Sequence, residues 1–556
     1  MRAPVVFARV HSLVGCNKAF QRRWQHTKPF YITTPIFYPN AAPHIGHLYS
    51  AVIADSIKRY YQLKGETALL LTGTDEHGLK IQQAAAANDM EPIVFCDQIS
   101  QRFKVRLMDL ADKANIQYTT FMRTTEARHH KAVAKIWSIL EENGYIYKGK
   151  HEGWYSISDE AFYTSGQVQE AVDEKTGKKV MVSVETGQPV EWTVEENYKF
   201  KLSACQDDLR AWLSSNPTAV VPQNRMREVQ SWIDMGLADL SISRPRSRLT
   251  WGIQVPNDPD HTIYVWLDAL VNYITATGYP WADNQEGIKN GWPADVHIVG
   301  KDIVRFHAIY WPAFLMAANL PLPKQIVAHA HWTMNKQKMS KSRGNVVEPM
   351  AAMDYFGVDP VRYYLLRDGG LADDGDYSHE AVMVRYKKDL AGQLGNLLAR
   401  CTAPALIPSG MVPVYNENAV TKDDHVLQDQ LKALPDLFCD RFEDHEYGKA
   451  LQAIFDVLSE ANRHFTDNQP WNLIKDPEQK ARLNQVLFYS VESCRMAGIL
   501  LQCVMPEKSD GILNRLGVDI KERTLAQAHF GTGWPTMEQH RQLGISHSPV
   551  IFPRIK

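Results

Sequence analysis

"PHIGHLYS", from Pro43 to Ser50, follows the first β-rich run of the chain, "FYITTP" from Phe30 to Pro35. The residues from Leu48 to Arg59 keep helical spacing, and Gly65 supplies a stop before a second strand candidate, "ALLLTG" from Ala68 to Gly73. A strand, a helix and a second strand of this length predict a right-handed crossover between two parallel strands. The chain therefore begins as an α/β nucleotide-binding type of fold.

The same pattern returns much later in the chain. "VHIVG", from Val296 to Gly300, precedes an amphipathic run and then "QIVAHAH", from Gln325 to His331. Between the two halves, the interval from Tyr145 to Leu249 holds polar, turn-rich stretches that are typical of exposed hairpins. We expect one parallel sheet that is interrupted by an inserted subdomain.

The last third of the chain has a helical pattern. From Tyr386 onward, apolar residues recur three or four positions apart, as in "DLAGQLGNLLARC". A helix bundle is therefore expected after the α/β part.

Composition excludes some classes of protein. The 556 residues are 44% hydrophobic with a net charge of −2, which rules out a uniformly basic surface but is compatible with local cationic patches. No run of about eighteen apolar residues occurs, so no membrane span is expected. The seven cysteines form no C-x-x-C pair, which argues against a thiolate metal site.

Residues 1–28 have the composition of an organelle-targeting segment. They are rich in arginine and lysine, and the first acidic residue of the chain is Asp55. This composition predicts a mitochondrial transit segment, and the alternative is a basic tail without a targeting role.

His44 and His47 stand at the junction of the first strand and its helix, where open α/β sheets bind ligands. The chain has neither a G-x-x-x-x-G-K-[ST] loop nor a G-x-G-x-x-G fingerprint. Histidines that donate to phosphate oxygens beside a helix N-terminus would serve instead, and Gly46 would let a ligand approach the backbone. On spacing alone, a packing, capping or metal-binding role is the stronger alternative.

A second motif, "KMSKS" from Lys338 to Ser342, favours the phosphate-binding role of the histidines over these alternatives. Lys338 and Lys341 make a cationic loop suited to a phosphate leaving group, whose charge must be neutralised as a phosphorus–oxygen bond breaks. The alternative is a solvated basic turn.

Together and in this order, the two motifs resemble the signature pair of the class I aminoacyl-tRNA synthetases. The blocks "LTGTDEHGLKIQ", "LSISRPRSRLTWGIQVP", "YVWLDALVNY" and "IVGKDIVRFHAIYWPAFL" narrow the resemblance to the methionyl-tRNA synthetases. "NQPWNLIK" extends it into the helical part. The resemblance covers nearly all of the chain after residue 28, and it indicates the bacterial and mitochondrial branch.

The resemblance implies a fold and a division of the chain. The fold is α/β, a class I synthetase Rossmann-type parallel sheet with an inserted connective subdomain, followed by an all-α anticodon-binding helix bundle. The expected divisions are a transit segment at 1–28, the two halves of the catalytic domain at 29–144 and 251–329, the connective subdomain at 145–250, the KMSKS loop and stem-contact region at 330–385, and the helical anticodon-binding domain at 386–556.

ATP, accompanied by Mg2+, is one implied substrate. The histidine pair would stabilise its phosphates while the methionine carboxylate attacks, and the lysine pair would neutralise the departing pyrophosphate. Further ATP contacts are implied for Gly46, Gly300, Asp302 and Ser340, and a catalytic contact from the inserted region for Arg244.

Methionine is the implied amino acid, and the resemblance assigns Asp75 to its α-ammonium group. A helix N-cap is the alternative role of Asp75, and it is compatible with the first. A thioether makes polarizable contacts with aromatic rings. The implied side-chain pocket is Ile36, Tyr38, Trp266, Tyr273 and His307, with Leu270 where some relatives carry proline.

The resemblance also implies tRNA(Met) as a partner. Asn396 and Arg400, four positions apart on one helix face, and Trp471 after Pro470 would read the CAU anticodon by polar contacts and stacking. Without the flanking matches, an exposed polar pair and a packed tryptophan would be the simpler interpretation.

A structural zinc and a dimer are not expected. Where many relatives carry zinc knuckles, "EGWYSISDEAFY" has Ser156 and Asp159 at the positions of paired cysteines. The chain ends soon after "IFPRI", without the extra tRNA-binding domain that makes some relatives dimers, so we expect a monomer.

The resemblance thus implies a methionine–tRNA ligase, which makes methionyl-adenylate and transfers the methionyl group to the terminal ribose of tRNA(Met), and the composition of residues 1–28 predicts that it acts in the mitochondrial matrix. One alternative is a small-molecule nucleotidyltransferase, for which the helical third is superfluous. The other is a catalytically silent tRNA-binding protein. The intact histidine and lysine motifs argue against this alternative.

Overall fold

The computed structural model of the chain describes residues 28–39, 43–98, 113–157, 161–163, 165–172, 177, 179–184, 186–334, 336–339, 347–533, 541–544 and 550–555. Ser340, Lys341 and Asp159 lie outside these ranges, as do residues 1–27 of the predicted transit segment. Of Lys338, the backbone alone is described.

Lys28, the last residue of the predicted transit segment, is part of the folded structure. Its ammonium group donates hydrogen bonds to Gly291 O (3.1 Å), Pro293 O (3.0 Å) and a carboxylate oxygen of Asp295 (2.5 Å). The described fold therefore begins one residue before the predicted boundary.

Six parallel strands form the central sheet. In spatial order they are β3 (Thr120–Arg123), β2 (Ala68–Thr74), β1 (Phe30–Phe37), β14 (Val296–Gly300), β15 (Ile326–His329) and β9 (Val220–Val221). The strand order reverses between β1 and β14, so both halves of the α/β part share one sheet. The predicted fold class is confirmed.

Smaller sheets surround this core, and most of their strands are antiparallel. One contains β10 (Leu240–Ser241), β8 (Glu191–Phe200), β4 (Ile146–Ser156) and β5 (Ala161–Tyr163). The others contain β6 (Val168–Val172) with β7 (Lys179–Ser183), β11 (Ser243–Pro245) with β13 (Asp258–Ile263) and β12 (Gln254–Val255), and β17 (Gln337–Lys338) with β16 (Trp332–Met334) and β18 (Gly375–Asp376).

Helices cover the sheet and make up the C-terminal part. Those of the α/β part are α1 (Ile45–Leu63), α2 (Leu79–Ala86), α3 (Ala127–Glu142), α4 (Gln206–Ser215), α5 (Gln223–Asp234), α6 (Val265–Thr275), α7 (Asn284–Lys289) and α8 (Trp311–Ala317). They are followed by α9 (Pro349–Phe356), α10 (Val358–Asp368), α11 (His379–Arg385), α12 (Asn396–Cys401), α13 (His425–Glu443), α14 (Tyr447–Asp467), α15 (Pro470–Leu473), α16 (Lys480–Leu500) and α17 (Pro506–Arg515). None of the helices in the described ranges is long and apolar enough to cross a bilayer.

Two predicted boundaries fall within continuous structure. The interval 145–250 contains hairpins as expected, but its strand β9 pairs with β15 of the central sheet. The boundary at residue 386 lies inside a helix, because α11 continues through a π-helical segment, Tyr386–Gly395, into α12. The connective region thus contributes a strand to the central sheet, and the helical bundle begins within a helix that starts before residue 386.

A buried ion pair joins the sheet layer to the C-terminal helices. Arg362 of α10 donates to the Asp55 carboxylate of α1 (2.6 Å), to Ala114 O (3.0 Å) and to Val504 O (2.8 Å). Both charged side chains are fully buried. Burial alone would raise the pKa of Asp55, but Arg362 and Arg59 outweigh it and lower that pKa.

Candidate active site

A cavity of about 740 Å³ opens at the carboxyl ends of β1 and β14, beside the point where the strand order reverses. Ligands of open α/β sheets bind at this point. The cavity brings together most of the predicted site residues, although they lie far apart in sequence. They are Ile36, Tyr38, His44, Gly46, His47, Asp75, Arg244, Trp266, Tyr273, Gly300, Asp302 and His307.

The two motif histidines cap helix α1 together. His44 is the N-cap residue, and its Nδ1 accepts from Gly46 N–H (3.1 Å), while His47 Nδ1 accepts from His44 N–H (3.1 Å). A neutral imidazole that accepts at Nδ1 carries its proton on Nε2. The reciprocal cap therefore fixes both rings as Nε2–H donors at the positive end of a helix.

The His44 ring leaves little room for a side chain at position 46. The ring centroids of His44 and His47 are 3.9 Å apart, and a Cβ on Gly46 would lie 2.9 Å from His44 Cε1. Burial, and then the neighbouring His44, lower the pKa of His47 to about 3. His47 is therefore neutral at physiological pH, as its acceptor role requires.

A carboxylate stands across the cavity from the histidines, at the end of β14. Burial opposes ionisation of Asp302, but the hydrogen bond from His331 (3.2 Å) and its charge outweigh this and lower the pKa of Asp302 to about 2. A Cβ on Gly300 would lie 2.6 Å from Asp302 Oδ1, so glycine makes room for this carboxylate.

The predicted site omitted two histidines that line the cavity, His329 and His331. His329 ends β15 and makes a hydrogen bond with Ser50 Oγ of α1 (2.7 Å). Burial lowers the pKa of His329 to about 4. The strand-end rule that singled out His44 applies equally to "QIVAHAH", and would have identified both.

One wall of the cavity is aromatic. Trp266 of α6 stacks on Phe306, with ring centroids 3.7 Å apart and planes 12° apart. The Tyr273 hydroxyl lies 2.7 Å from His307 Nε2, while His307 Nδ1 lies 2.9 Å from Ile303 O. Because a carbonyl only accepts, Nδ1 donates to it and Nε2 accepts from Tyr273. Burial lowers the pKa of His307 to about 4, which matches a neutral ring.

His307 lies in a π-helical turn, Phe306–Tyr310, directly before α8. Pro312 at the start of α8 cannot donate a backbone hydrogen bond. Local π-helical turns of this kind are frequent at functional sites. Here the turn contains both Phe306 and His307, which line the cavity.

A bulge shapes the opposite wall. The β1–β2 register shifts between Thr33 and Ile36, where Pro35 lacks a ladder donor. Ile36 and Tyr38 follow this bulge and line the cavity.

Asp75 lies at the end of β2, buried and next to the cavity. Its backbone N–H donates to Phe37 O (3.0 Å). The N-cap residue of helix α2 is Gly78, so the alternative N-cap role of Asp75 does not hold in this structure.

Arg244 of β11 reaches the cavity from the inserted region. It is buried and donates to Ser241 Oγ (3.0 Å) and Ser243 O (2.7 Å). Its guanidinium lies 4.8 to 5.1 Å from three ring centroids, those of Tyr264, Phe162 and Tyr155. The guanidinium is thus stabilised by aromatic rings and by neutral oxygens.

A second predicted site lies in the helical part. The Arg400 guanidinium is 4.4 Å from the Phe465 ring centroid and 5.9 Å from that of Trp471, and it donates to Thr466 Oγ1 (3.2 Å). Trp471 is 42% exposed, and Asn396 is exposed one turn before Arg400. The structure therefore brings Arg400 and Trp471 together at the surface.

Ser156 and Asp159 stand where many relatives carry the cysteines of a zinc knuckle. Ser156 is buried in β4, and its predicted companion Asp159 lies outside the described residues. The described part of the chain holds no group of three or more His, Cys, Asp or Glu side chains arranged to bind a metal ion.

Comparison with known proteins agrees with this geometry. The family model for class I tRNA synthetases (M) matches residues 30–402. The chain is 45% identical to a probable mitochondrial methionine–tRNA ligase of Neurospora crassa, over 94% of this chain and 86% of that protein. This chain belongs to the methionyl-tRNA synthetase family.

Other family members extend the match over the full fold. The human mitochondrial methionine–tRNA ligase is 44% identical, over 94% of this chain and 90% of that protein. The methionyl-tRNA synthetase of Mycobacterium tuberculosis, solved with methionyl-adenylate, superposes with a TM-score of 0.87 at 41% identity, covering 95% of this chain and all of that one. The predicted family is confirmed, and the mitochondrial names of these relatives support a mitochondrial location.

Proposed function

We propose that this chain is a mitochondrial methionine–tRNA ligase. It joins methionine to ATP as methionyl-adenylate with release of pyrophosphate, and then transfers the methionyl group to the 3′-terminal ribose of tRNA(Met). One observation carries the proposal: a single cavity at the sheet's switch point combines a donor pair at a helix N-terminus, the carboxylates of Asp75 and Asp302, and an aromatic wall.

The phosphate side of the reaction uses positioning and charge. The methionine carboxylate attacks the α-phosphorus of the ATP–Mg2+ complex, and the Nε2–H groups of His44 and His47 donate to the phosphate oxygens where negative charge develops. The cap that fixes their tautomers supports this role. Gly46 keeps the rings in place, as its close approach to His44 requires.

Cations neutralise the departing pyrophosphate. We assign this role to Lys338 and Lys341, with Ser340 between them in the sequence, and to Arg244, which lines the cavity. The Arg244 guanidinium lines the cavity and is held there by three rings, which supports its part. Gly300 and Asp302 hold the ribose, because a carboxylate with a pKa of about 2 stays ionised and accepts from sugar hydroxyls.

Methionine is held at both of its ends. Asp75 receives the α-ammonium group, and the thioether lies among Ile36, Tyr38, Trp266, Tyr273 and His307. Aromatic contacts with a thioether contribute about 0.3 to 1.5 kcal/mol each. Neutral His307, fixed by Tyr273, keeps charge out of a pocket meant for an apolar side chain.

tRNA(Met) is recognised by its anticodon at a separate surface. Arg400 and Trp471 present a cation and a ring side by side, and Asn396 adds an exposed amide, which suits an unpaired base. We further propose that the enzyme is a monomer of the mitochondrial matrix and that it needs no structural zinc.

The two alternatives are less well supported. A small-molecule nucleotidyltransferase does not need the surface of Arg400 and Trp471. A silent tRNA-binding protein does not need His44 and His47 held as donors in the cavity.

Methionine-dependent exchange between ATP and labelled pyrophosphate tests the activation step. We expect exchange with methionine alone among the amino acids, and a fall of about a hundredfold or more in Lys341→Ala, which removes charge from the leaving-group side. Exchange with another amino acid in place of methionine would overturn the specificity, and no exchange would favour the silent binder.

A further inference from the structure

A buried carboxylate behind the aromatic wall is not used by this mechanism. Asp268 of α6 is fully buried, and its two oxygens lie 2.7 Å from His77 Nδ1 and 2.7 Å from His129 Nε2. Burial alone would raise the pKa of Asp268, but the charge and hydrogen bonds of the two histidines hold it well below its usual value. An ionised carboxylate only accepts, so both histidines donate to it.

The carboxylate joins three segments of the chain. His129 lies in α3, His77 lies in the loop between β2 and α2, and Asp268 lies in the first turn of α6. His129 is fixed in turn, because its Nδ1 lies 3.0 Å from Thr275 Oγ1 at the end of α6. The cluster therefore holds α6 against the loop after β2.

Asp268 lies on the far side of α6 from the cavity. At about 100° per residue, it is rotated about 200° from Trp266, and the residues of α6 that line the cavity include Trp266 and Tyr273. Neither Asp268 nor its two histidines are among the described residues that line the cavity. Any effect of the cluster on the substrate is thus transmitted through α6 and the loop.

The loop carries the other half of the methionine site. Asp75 lies two residues before His77. The loop is held on its cavity side, where the Tyr38 hydroxyl donates to His77 O (2.5 Å), and at Glu76 O, which accepts from Trp251 Nε1 (2.6 Å). The bond from His77 to Asp268 then fixes the distance between this loop and α6.

We propose that Asp268 is a positioning residue for methionine, which sets the spacing between the ammonium site at Asp75 and the side-chain pocket at Trp266 and Tyr273. The inference rests on the proposed function, because it assigns the two ends of methionine to these elements. Misplacing either end by a fraction of an ångström weakens methionine binding while leaving the ATP side of the cavity intact.

Asp268→Asn tests the proposal with little change in volume. The amide accepts one histidine N–H but turns its NH2 group toward the other, so one of the two bonds is lost. In pyrophosphate exchange, we expect KM for methionine to rise by about ten- to a hundredfold, with KM for ATP unchanged. Discrimination against leucine should also weaken, because the pocket walls are less firmly placed.

A purely structural role gives a different pattern. If the substitution only lowers the folded fraction, kcat per total protein falls while both KM values stay at those of the parent protein. Asp424→Asn is the matched control, since Asp424 is also a buried carboxylate that accepts from a buried histidine, His464 Nε2 (2.6 Å), but lies among the C-terminal helices. We expect it to leave KM for methionine unchanged.

If Asp268→Asn does not fold, His129→Phe is a second, milder variant that tests the same proposal. His129→Phe preserves ring volume in α3 and removes one donor, so a smaller rise in KM for methionine is expected. An unchanged KM for methionine in a folded Asp268→Asn protein, or in a folded His129→Phe protein, would overturn the inference. Failure of the proposed function is recognised separately, because the parent protein itself would then show no methionine-dependent exchange.

Discussion

Gly46 is the single residue on which the geometry of the motif histidines depends most. Gly46→Ala places a methyl group 2.9 Å from His44 Cε1, so we expect the His44 ring to shift and the reciprocal cap to be distorted. We expect kcat of pyrophosphate exchange to fall by about a hundredfold, in line with the loss of an oriented donor to developing charge. KM for methionine should change little, because the methionine pocket lies on other elements.

Gly166→Ala is the matched control for this substitution. A Cβ at position 166 meets no atom within 4 Å, so exchange should proceed as in the parent protein. An active Gly46→Ala protein would show that the cap does not set the histidine donors.

Single residues were predicted from the sequence where a motif marked them. His44 and Asp75 come together in the cavity because strand ends converge at one edge of the sheet, and Trp266 and His307 reach it from helical segments. Asp268 lies in the block "YVWLDALVNY", but its pairing with His129 was not predicted, since two buried polar residues from different helices reveal their pairing through tertiary contact alone. The Lys338 and Lys341 side chains stay a prediction, because they lie outside the described structure.

At the scale of elements, a substitution in the helix that contains Arg400 should affect the transfer of methionine to tRNA but not the activation of methionine. Arg400→Ala removes the cation beside Trp471, and we expect kcat/KM for tRNA(Met) to fall by about tenfold or more, as the loss of a base contact does. Pyrophosphate exchange, which needs no tRNA, should be unchanged.

Arg463→Ala provides the control for charge on this surface. Arg463 is an exposed arginine of the neighbouring helix α14, paired with Glu460. If the loss of Arg463 lowered charging as much as the loss of Arg400, the effect would reflect net charge rather than a specific contact.

Helices and strands could be predicted from the sequence where their hydrophobic periodicity is strong. Their boundaries could be predicted less well. The parallel strands and the helical last third follow from hydrophobic spacing. Strand β9 escaped prediction because it contributes two residues to the sheet, Val220 and Val221, within a polar interval. The helix that crosses residue 386 was divided in the prediction, whereas the structure continues it from His379–Arg385 into the π-helical segment Tyr386–Gly395.

For the whole molecule, the buried Arg362–Asp55 pair links the sheet layer to the C-terminal helices. Arg362→Ala leaves the Asp55 carboxylate buried with less compensation, and we expect a loss of about 3 to 5 kcal/mol in the free energy of unfolding. Lys179→Ala breaks the exposed pair with Glu170 and should cost less than about 1 kcal/mol. Urea denaturation measures both, and equal losses would contradict the importance of this link.

His445 makes stability depend on pH at the same interface. Its Nε2 lies 2.6 Å from Gln325 Oε1 beside the sheet, and its Nδ1 lies 2.6 Å from the Tyr447 hydroxyl. Burial lowers the pKa of His445 to about 4, against about 6.5 in an unfolded chain. Between these values the unfolded state binds more protons, so stability is present above pH 6.5 and is lost as the pH falls toward 4.

His445→Asn should reduce this loss, because the group that titrates is removed. Asparagine also tolerates the positive φ of 60° at this position. Between about pH 6.5 and 4, the slope of the free energy of unfolding against pH should decrease by up to about 1.4 kcal/mol per pH unit. An unchanged slope would show that His445 does not titrate with unfolding.

The central claim is that one cavity activates methionine and that a distant helical surface selects the tRNA. Attachment of labelled methionine to a tRNA(Met) transcript tests it most directly, beside a transcript whose CAU anticodon carries one changed base. We predict ester-linked methionine on the first transcript and a strong loss on the second. Absence of methionine on the tRNA, or attachment of another amino acid in its place, would contradict this account.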